Sequence, residues 1–199
     1  MSKIIETLSK YTSLPGAEIA EACMNRNPFY LKIVSPRKTR LGDYKYNFEQ
    51  KYHQITINND LKGDSFLFTL LHEIAHQLAF LKYSRNIEPH GKEWKNEYKN
   101  LLLLALEKDA FENPTLIIKG IDNIKSSSVY NKELFRALYT NPTEDECFLD
   151  MVQDQKEFIF NAVIYKKIQK NRSRTLCLNV ENSRKYLISN QALVMVIED

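Results

Sequence analysis

The sequence predicts an α+β fold. It reads as N-terminal helices, a small and mostly antiparallel sheet, one long apolar helix, and a small C-terminal β-rich unit. Three observations carry this. Apolar residues recur at helical spacing in "SKIIETLSKY" and "PGAEIAEACMNRN", as on the inner face of a helix. The pattern then switches to alternation in "FYLKIV", "YKYNF" and "HQITIN", the period of a half-buried strand. From about Gln155 four short β-rich runs, "EFIFNAVIY", "TLCLNV", "KYLIS" and "ALVMVI", follow one another between polar turns.

Each element has a local reason. Pro15 suits a helix start. "SPRKTRLGD" supplies turn residues between the first two strands. Asp64 or Ser65 can cap the long helix that runs to about Lys82. "SRNIEP" breaks that helix, and another begins near Gly91 and carries "KEWKNEYKNLLLLALEK". Residues 109 to 150 read as loops and short helices, with a turning point at Ser126 to Ser128 and a helix in "NKELFRALY". The expected organisation is a domain over 1–110, a connector over 111–154 and a small basic β-rich unit over 155–199.

Composition excludes several classes. In 199 residues, 43% are hydrophobic and 27% charged, the balance of a globular protein. The longest apolar run, "LLLLAL", is far short of the roughly 20 residues of a membrane span. The first ten residues lack the apolar core of a signal peptide. The three cysteines, Cys23, Cys147 and Cys177, are scattered and odd in number, so neither a disulfide framework nor a cysteine-ligated zinc is expected. Each reads as an unreactive packing residue. A cytoplasmic, reduced setting and no membrane partner follow as expectations. A net charge of +3 gives no global field to attract nucleic acid.

Chemistry concentrates in "LLHEIAHQLAFLKYSRNIEPHGKEW", which holds three of the four histidines. His72, Glu73 and His76 form H-E-x-x-H. Residues four apart on a helix share a face, so two imidazoles can reach one ion at about 2.0–2.1 Å from each nitrogen. Glu73 stands one residue round, placed to touch a metal-bound water without being a ligand. Apolar neighbours would make bare histidines and a carboxylate costly, and a metal removes that cost. Two core histidines with ordinary hydrogen bonds are the bland alternative.

A catalytic zinc needs a third ligand. Metzincin spacing would require Gly at position 79 and His at position 82, where this chain has Ala79 and Lys82. Glu97, twenty-one residues after His76, is one candidate. His90 is the better one, because Pro89 and Gly91 flank it at a break where the chain can return to the helix. Trp94 can pack over the site or serve as ordinary core. Glu88 reads as solvated, and the remaining histidine, His53, as structural. Tyr83 and Tyr98 are candidate oxyanion donors, and both residue types are more often packing.

H-E-I-A-H at 72–76 followed by H-G-K-E-W at 90–94 resembles the SprT-like zinc metalloproteases, which include the Spartan proteases. The upstream "SPRKTRLGDYKY…HQITIN" is similar to the same family, and the resemblance covers roughly residues 10 to 110. It implies a zincin-like core in which His72, His76 and His90 bind one Zn2+ per chain and Glu73 is the catalytic base. It further implies a peptidase acting on protein associated with or crosslinked to DNA. Where many members carry a zinc ribbon with paired cysteines, Cys177 stands alone, so no second zinc is expected.

Lys166, Lys170, Arg172 and Arg174 share parity within a predicted strand region and are candidate phosphate contacts, with Lys167 pointing away. A solvated hairpin whose lysines guard a sheet edge is the alternative. "PRKTR" (Pro36 to Arg40) is a second basic patch. Two functions are therefore expected: a zinc endopeptidase acting on protein or peptide, with DNA as a candidate partner, or a DNA-associated binding module whose zinc is structural or inactive. The intact Glu73 favours the first.

Overall fold

The computed structural model describes residues 1–37, 40–84, 88–121, 132–140 and 142–197. The turning point at Ser126 to Ser128, part of "SRNIEP" and two residues of "PRKTR" lie outside them. The chain forms two compact units, Met1–Tyr139 and Thr140–Asp199.

The first unit opens with α1 (Lys3–Leu8) and α2 (Leu14–Arg26). Pro15 lies in the first turn of α2, and the Ser13 hydroxyl accepts from the Gly16 amide at 3.2 Å. Strands β1 (Tyr30–Val34), β2 (Gly42–Asn47) and β3 (Tyr52–Asn58) form a sheet in the order β1-β3-β2. The β2–β3 hairpin is antiparallel, and β1 joins the far side of β3 in parallel. One of the two pairings is therefore parallel, since β1 does not pair with the strand that follows it. That leaves β2 at an edge.

Helix α3 (Gly63–Tyr83) lies against β2 and β3. Phe66, Leu67, Leu70, Leu71, Ile74 and Ala75 are fully buried on it, which marks a helix enclosed on nearly all sides. Its start differs from the sequence expectation. Lys62 occupies the N-cap, and Ser65, three residues in, reaches back to the Lys62 amide at 3.2 Å. Asp64 instead accepts from the amides of Glu112 and Asn113 at 2.8 and 2.9 Å. It thus fixes the chain just before α5 (Pro114–Ile121). Helix α4 (Lys92–Glu107) packs on α3 through Trp94, Tyr98, Leu102 and Ala105, buried positions at helical spacing. Helix α6 (Lys132–Tyr139) completes the unit. None of the described helices is long and apolar enough to cross a membrane.

The second unit is a six-stranded antiparallel sheet, with β4 (Glu146–Phe148), β5 (Glu157–Phe160), β6 (Val163–Lys170), β7 (Arg174–Asn179), β8 (Lys185–Ser189) and β9 (Leu193–Val196) in the order β4-β9-β5-β6-β7-β8. Its core is small: Leu149, Val152, Phe158, Cys177, Ile188 and Val194. The sheet recruits β4 from upstream of position 155, because β4 pairs with β9. The run "EFIFNAVIY" is two strands. Asn161 and Ala162 both have positive φ, 51° and 61°, the conformation a two-residue hairpin turn demands.

Candidate metal centre

The three histidines of the long motif meet at one point. The Nε2 atoms of His72 and His76 are 3.3 Å apart, and His90 Nε2 is 3.1 Å from each. Among the described residues, this is the group of three His, Cys, Asp or Glu side chains able to hold a metal ion. Four ligands at about 2.0–2.1 Å in a tetrahedron stand roughly 3.3–3.4 Å apart, so the observed triangle fits such an ion with one position left open. Three converging imidazole nitrogens cannot all satisfy one another with protons, whereas a cation satisfies all three.

Local structure explains the convergence. His72 and His76 share a face of α3. His90 has φ of 59°, a left-handed conformation rare for a residue with a Cβ. The Gly91 amide donates to the Glu88 carbonyl at 2.8 Å, closing the tight turn. A Cβ on Gly91 would meet that same carbonyl at 2.8 Å, which is why glycine follows. Strain of this kind persists where the surroundings enforce it. Trp94 is the enforcing neighbour. Its ring centroid lies 4.6 Å from those of His72 and His90 and 5.2 Å from that of His76, and its Nε1 donates to the His72 carbonyl at 3.3 Å.

Burial keeps these imidazoles neutral, the form a metal binds. It pushes the His72 pKa down to about 2, with the charges of His76 and His90 adding to the effect. His76 falls to about 4, again mainly by burial, and His90 is lowered for the same reason.

Glu73 follows His72 on α3 and is buried at 7% exposure. Burial, and then the Asp43 charge, raise its pKa to about 8; a hydrogen bond from the Tyr44 amide acts against them. Gly42 makes this packing possible. A Cβ there would meet Glu73 Oε1 at 2.7 Å and Thr69 Cγ2 at 3.0 Å. Tyr44, next on the same face of β2, stacks on His76 with ring planes 4° apart and centroids 6.4 Å apart. Its hydroxyl is 2.9 Å from His53 Nδ1. Sequence reasoning missed Gly42 and Tyr44 as site residues. The sequence places Gly42 among turn residues, whereas it opens β2, where a glycine marks close backbone approach.

Other candidates fall elsewhere. Glu97 pairs with Lys82 at 2.9 Å and is outside the triangle. Glu88 is exposed. Tyr98 is fully buried and donates to the Phe68 carbonyl at 3.1 Å, so its hydroxyl is committed away from the open position. Burial raises the Cys23 and Cys177 thiols to about 11, which leaves both poor nucleophiles near neutral pH.

The basic residues of β6 and β7 do not share one face. Lys166 pairs with Leu178 and Lys170 with Thr175, with a register shift between Lys167 and Gln169. Paired residues lie on the same side of a sheet, and positions 175 and 178 of one strand face opposite ways. The extra residue, a β-bulge, therefore inverts the parity read from sequence. Lys170 lies 3.7 Å from the buried Asp150 carboxylate. Lys167 is buried and donates to the Val152 carbonyl. Arg174 keeps the parity of Leu178, and Lys185 pairs with Leu178, so Lys166, Arg174 and Lys185 share a face. Arg172 is exposed in the turn between the strands. In the second basic patch, Arg37 is held by Asn58 Oδ1 and Thr56 Oγ1, both at 2.9 Å, and Arg40 by Asp43 at 2.7 Å.

The model of the SprT-like family matches residues 21–107. That span runs from α2 to the end of α4 and contains all three histidines and Glu73. Neither a curated protein nor a solved structure matches the chain.

Proposed function

We propose that this chain, which matches the SprT-like family model over residues 21–107, is a SprT-like zinc-dependent endopeptidase that acts on proteins associated with DNA. The observation that carries the reading is the triangle of His72, His76 and His90 nitrogens at 3.1–3.3 Å, together with the buried carboxyl of Glu73 on the residue after His72. A purely structural site would need no such carboxyl.

The three histidines would hold the ion. The chemistry zinc supplies there is polarisation of the scissile carbonyl and a water of lowered pKa. Glu73 accepts the water's proton on a carboxylate oxygen and delivers it to the leaving amine. With a cation held by the three histidines, the raised Glu73 pKa would be drawn back down and the base would be ionised. The Tyr44 amide holds the carboxylate in place, and the packing of Gly42 and Thr69 excludes water from behind it. Among the described residues β2 pairs with β3 alone, and an extended substrate adds as a further strand on its open edge.

The test is metal analysis of the pure protein together with cleavage of an unfolded protein. One zinc per chain, activity lost on chelation and activity restored by zinc are expected. Pure protein that holds no zinc would sink the reading.

The DNA part rests on the family and on the basic face of the second unit. Replacing Lys166, Arg174 and Lys185 with Ala should weaken DNA binding across sequences. It should also flatten the salt dependence, by roughly 0.7–0.9 in log–log slope for each phosphate no longer neutralised. Lys170→Ala, which removes a residue of the opposite face, should leave the slope unchanged. An unaltered slope in the triple variant would mean that this face makes no phosphate contact.

A further inference from the structure

Beyond the metal site the rings of β2 and α3 continue into an aromatic patch. Strand β2 runs alongside α3 in a fixed register: Gly42 lies over Thr69 and Glu73, Tyr44 over His76, and Tyr46 over Phe80. Tyr46 and Phe80 have centroids 4.9 Å apart. Phe48 stands 4.7 Å from Tyr46 and 6.5 Å from Phe80, and it is 49% exposed. His53, from β3, is 4.7 Å from Tyr46 and closes the patch on the sheet side. These rings begin one helical turn past His76, which is about 6 Å. Two strand residues cover nearly the same length, about 7 Å.

Phe48 is half exposed, stands among other rings and follows directly on the strand whose edge is open, and the neighbouring metal site would bring a substrate chain past it. We infer that Tyr46, Phe48 and Phe80 form the subsite for an aromatic or large apolar substrate side chain lying one or two residues upstream of the cleaved bond. This rests on the endopeptidase reading. The direction follows from strand pairing. Antiparallel pairing is the more stable kind, and β2 runs from the Glu73 end toward the Phe80 end. A substrate strand antiparallel to β2 therefore places its N-terminal part at the aromatic patch. Its C-terminal part, with the leaving amine, lies at the Gly42–Thr69 end. Alternate side chains of that strand point down onto the patch, so one residue there is read by its side chain while its neighbours are held through the backbone.

The experiment uses zinc-loaded full-length protein and matched peptides that differ only by Phe against Ala, at the first or second position on either side of the cleaved bond. The expected result is a kcat/KM at least about tenfold higher for Phe on the upstream side, carried mainly by KM. Phe48→Ala, an exposed position whose variant retains the core, should bring the upstream pair to within about threefold. The same pairs are measured for binding to zinc-loaded Glu73→Gln by fluorescence anisotropy. A Phe preference in binding that Phe48→Ala removes, without turnover by the wild type, would sustain Tyr46, Phe48 and Phe80 as an aromatic-binding patch but overturn the endopeptidase reading and, with it, the upstream assignment. Turnover with no upstream preference, with a preference only downstream, or with a preference untouched by Phe48→Ala would overturn the subsite and leave that reading standing. Neither binding nor turnover would overturn both.

Discussion

Glu73→Gln should retain zinc and lose about 10²- to 10⁴-fold in turnover, the contribution of a positioned acid–base group. The amide keeps the size of the carboxyl and can still accept from the Tyr44 amide, but it cannot take a proton. Zinc content measured beside kcat separates this from damage to the metal site; loss of zinc in the variant would make Glu73 a ligand instead. The metal-free protein offers a second readout. The folded Glu73 pKa of about 8 lies above the ordinary 4.5. Between those values the folded protein holds a proton that the unfolded chain has released. Its stability therefore falls as pH rises from 4.5 through 8. Gln cannot titrate, so chelated Glu73→Gln should gain on the wild type as pH increases across that window. By pH 8.5 the gain should reach roughly 5 °C or more in Tm. Equal melting temperatures at every pH would contradict the buried environment described for this carboxyl. Gly42→Ala tests the same packing from the strand side. Its methyl group would fall 2.7 Å from Glu73 Oε1, so turnover should drop while the histidine triangle, and with it zinc content, stays.

How far the sequence alone reached depends on whether a feature is local. The α+β class, the long helix and the His72–His76 pair are encoded in spacing along the chain. So is the return at Pro89–Gly91, where a glycine follows the residue that must turn. Gly42 and Tyr44 were out of reach because their roles are tertiary. They matter through what β2 meets on α3, and no periodicity within "LGDYKY" records that. The β-bulge at Lys167–Gln169 defeated the parity argument in the same way. An inserted residue inverts every later side chain, and the sequence around Ile168 carries no turn residue to announce it. Asn161–Ala162 lay within reach in part, since Asn tolerates positive φ, but Ala162 does not ordinarily supply the second such residue. The parallel β1–β3 pairing was hidden for a related reason: strands read in order are expected to pair in order, and β1 skips its successor.

His90→Ala should cost more than about 100-fold in zinc affinity, beyond the range for residues that merely support a ligand. Glu97→Ala should cost almost nothing. The contrast decides between the two third ligands that spacing left open. Both carry a chemically suitable donor within reach in sequence, but their geometry differs. His90 Nε2 completes a triangle with sides of 3.1–3.3 Å, while the Glu97 carboxylate is 2.9 Å from Lys82 Nζ and would have to abandon that partner to reach the ion. Loss of His90 leaves two imidazoles, and water is a weaker substitute than a nitrogen donor held in place by Trp94. The comparison should be made above pH 6.5. Burial lowers the pKa of all three histidines in the folded chain, so there protons do not compete with zinc for the site. The stability these neutral imidazoles confer on the metal-free protein is complete above pH 6.5 and is lost as pH falls toward about 4 and below. Competition titration with a chromophoric chelator reads the affinities directly. Wild-type affinity in His90→Ala together with a large loss in Glu97→Ala would require α4 to turn its carboxylate to the ion, and the triangle would cease to be the metal site.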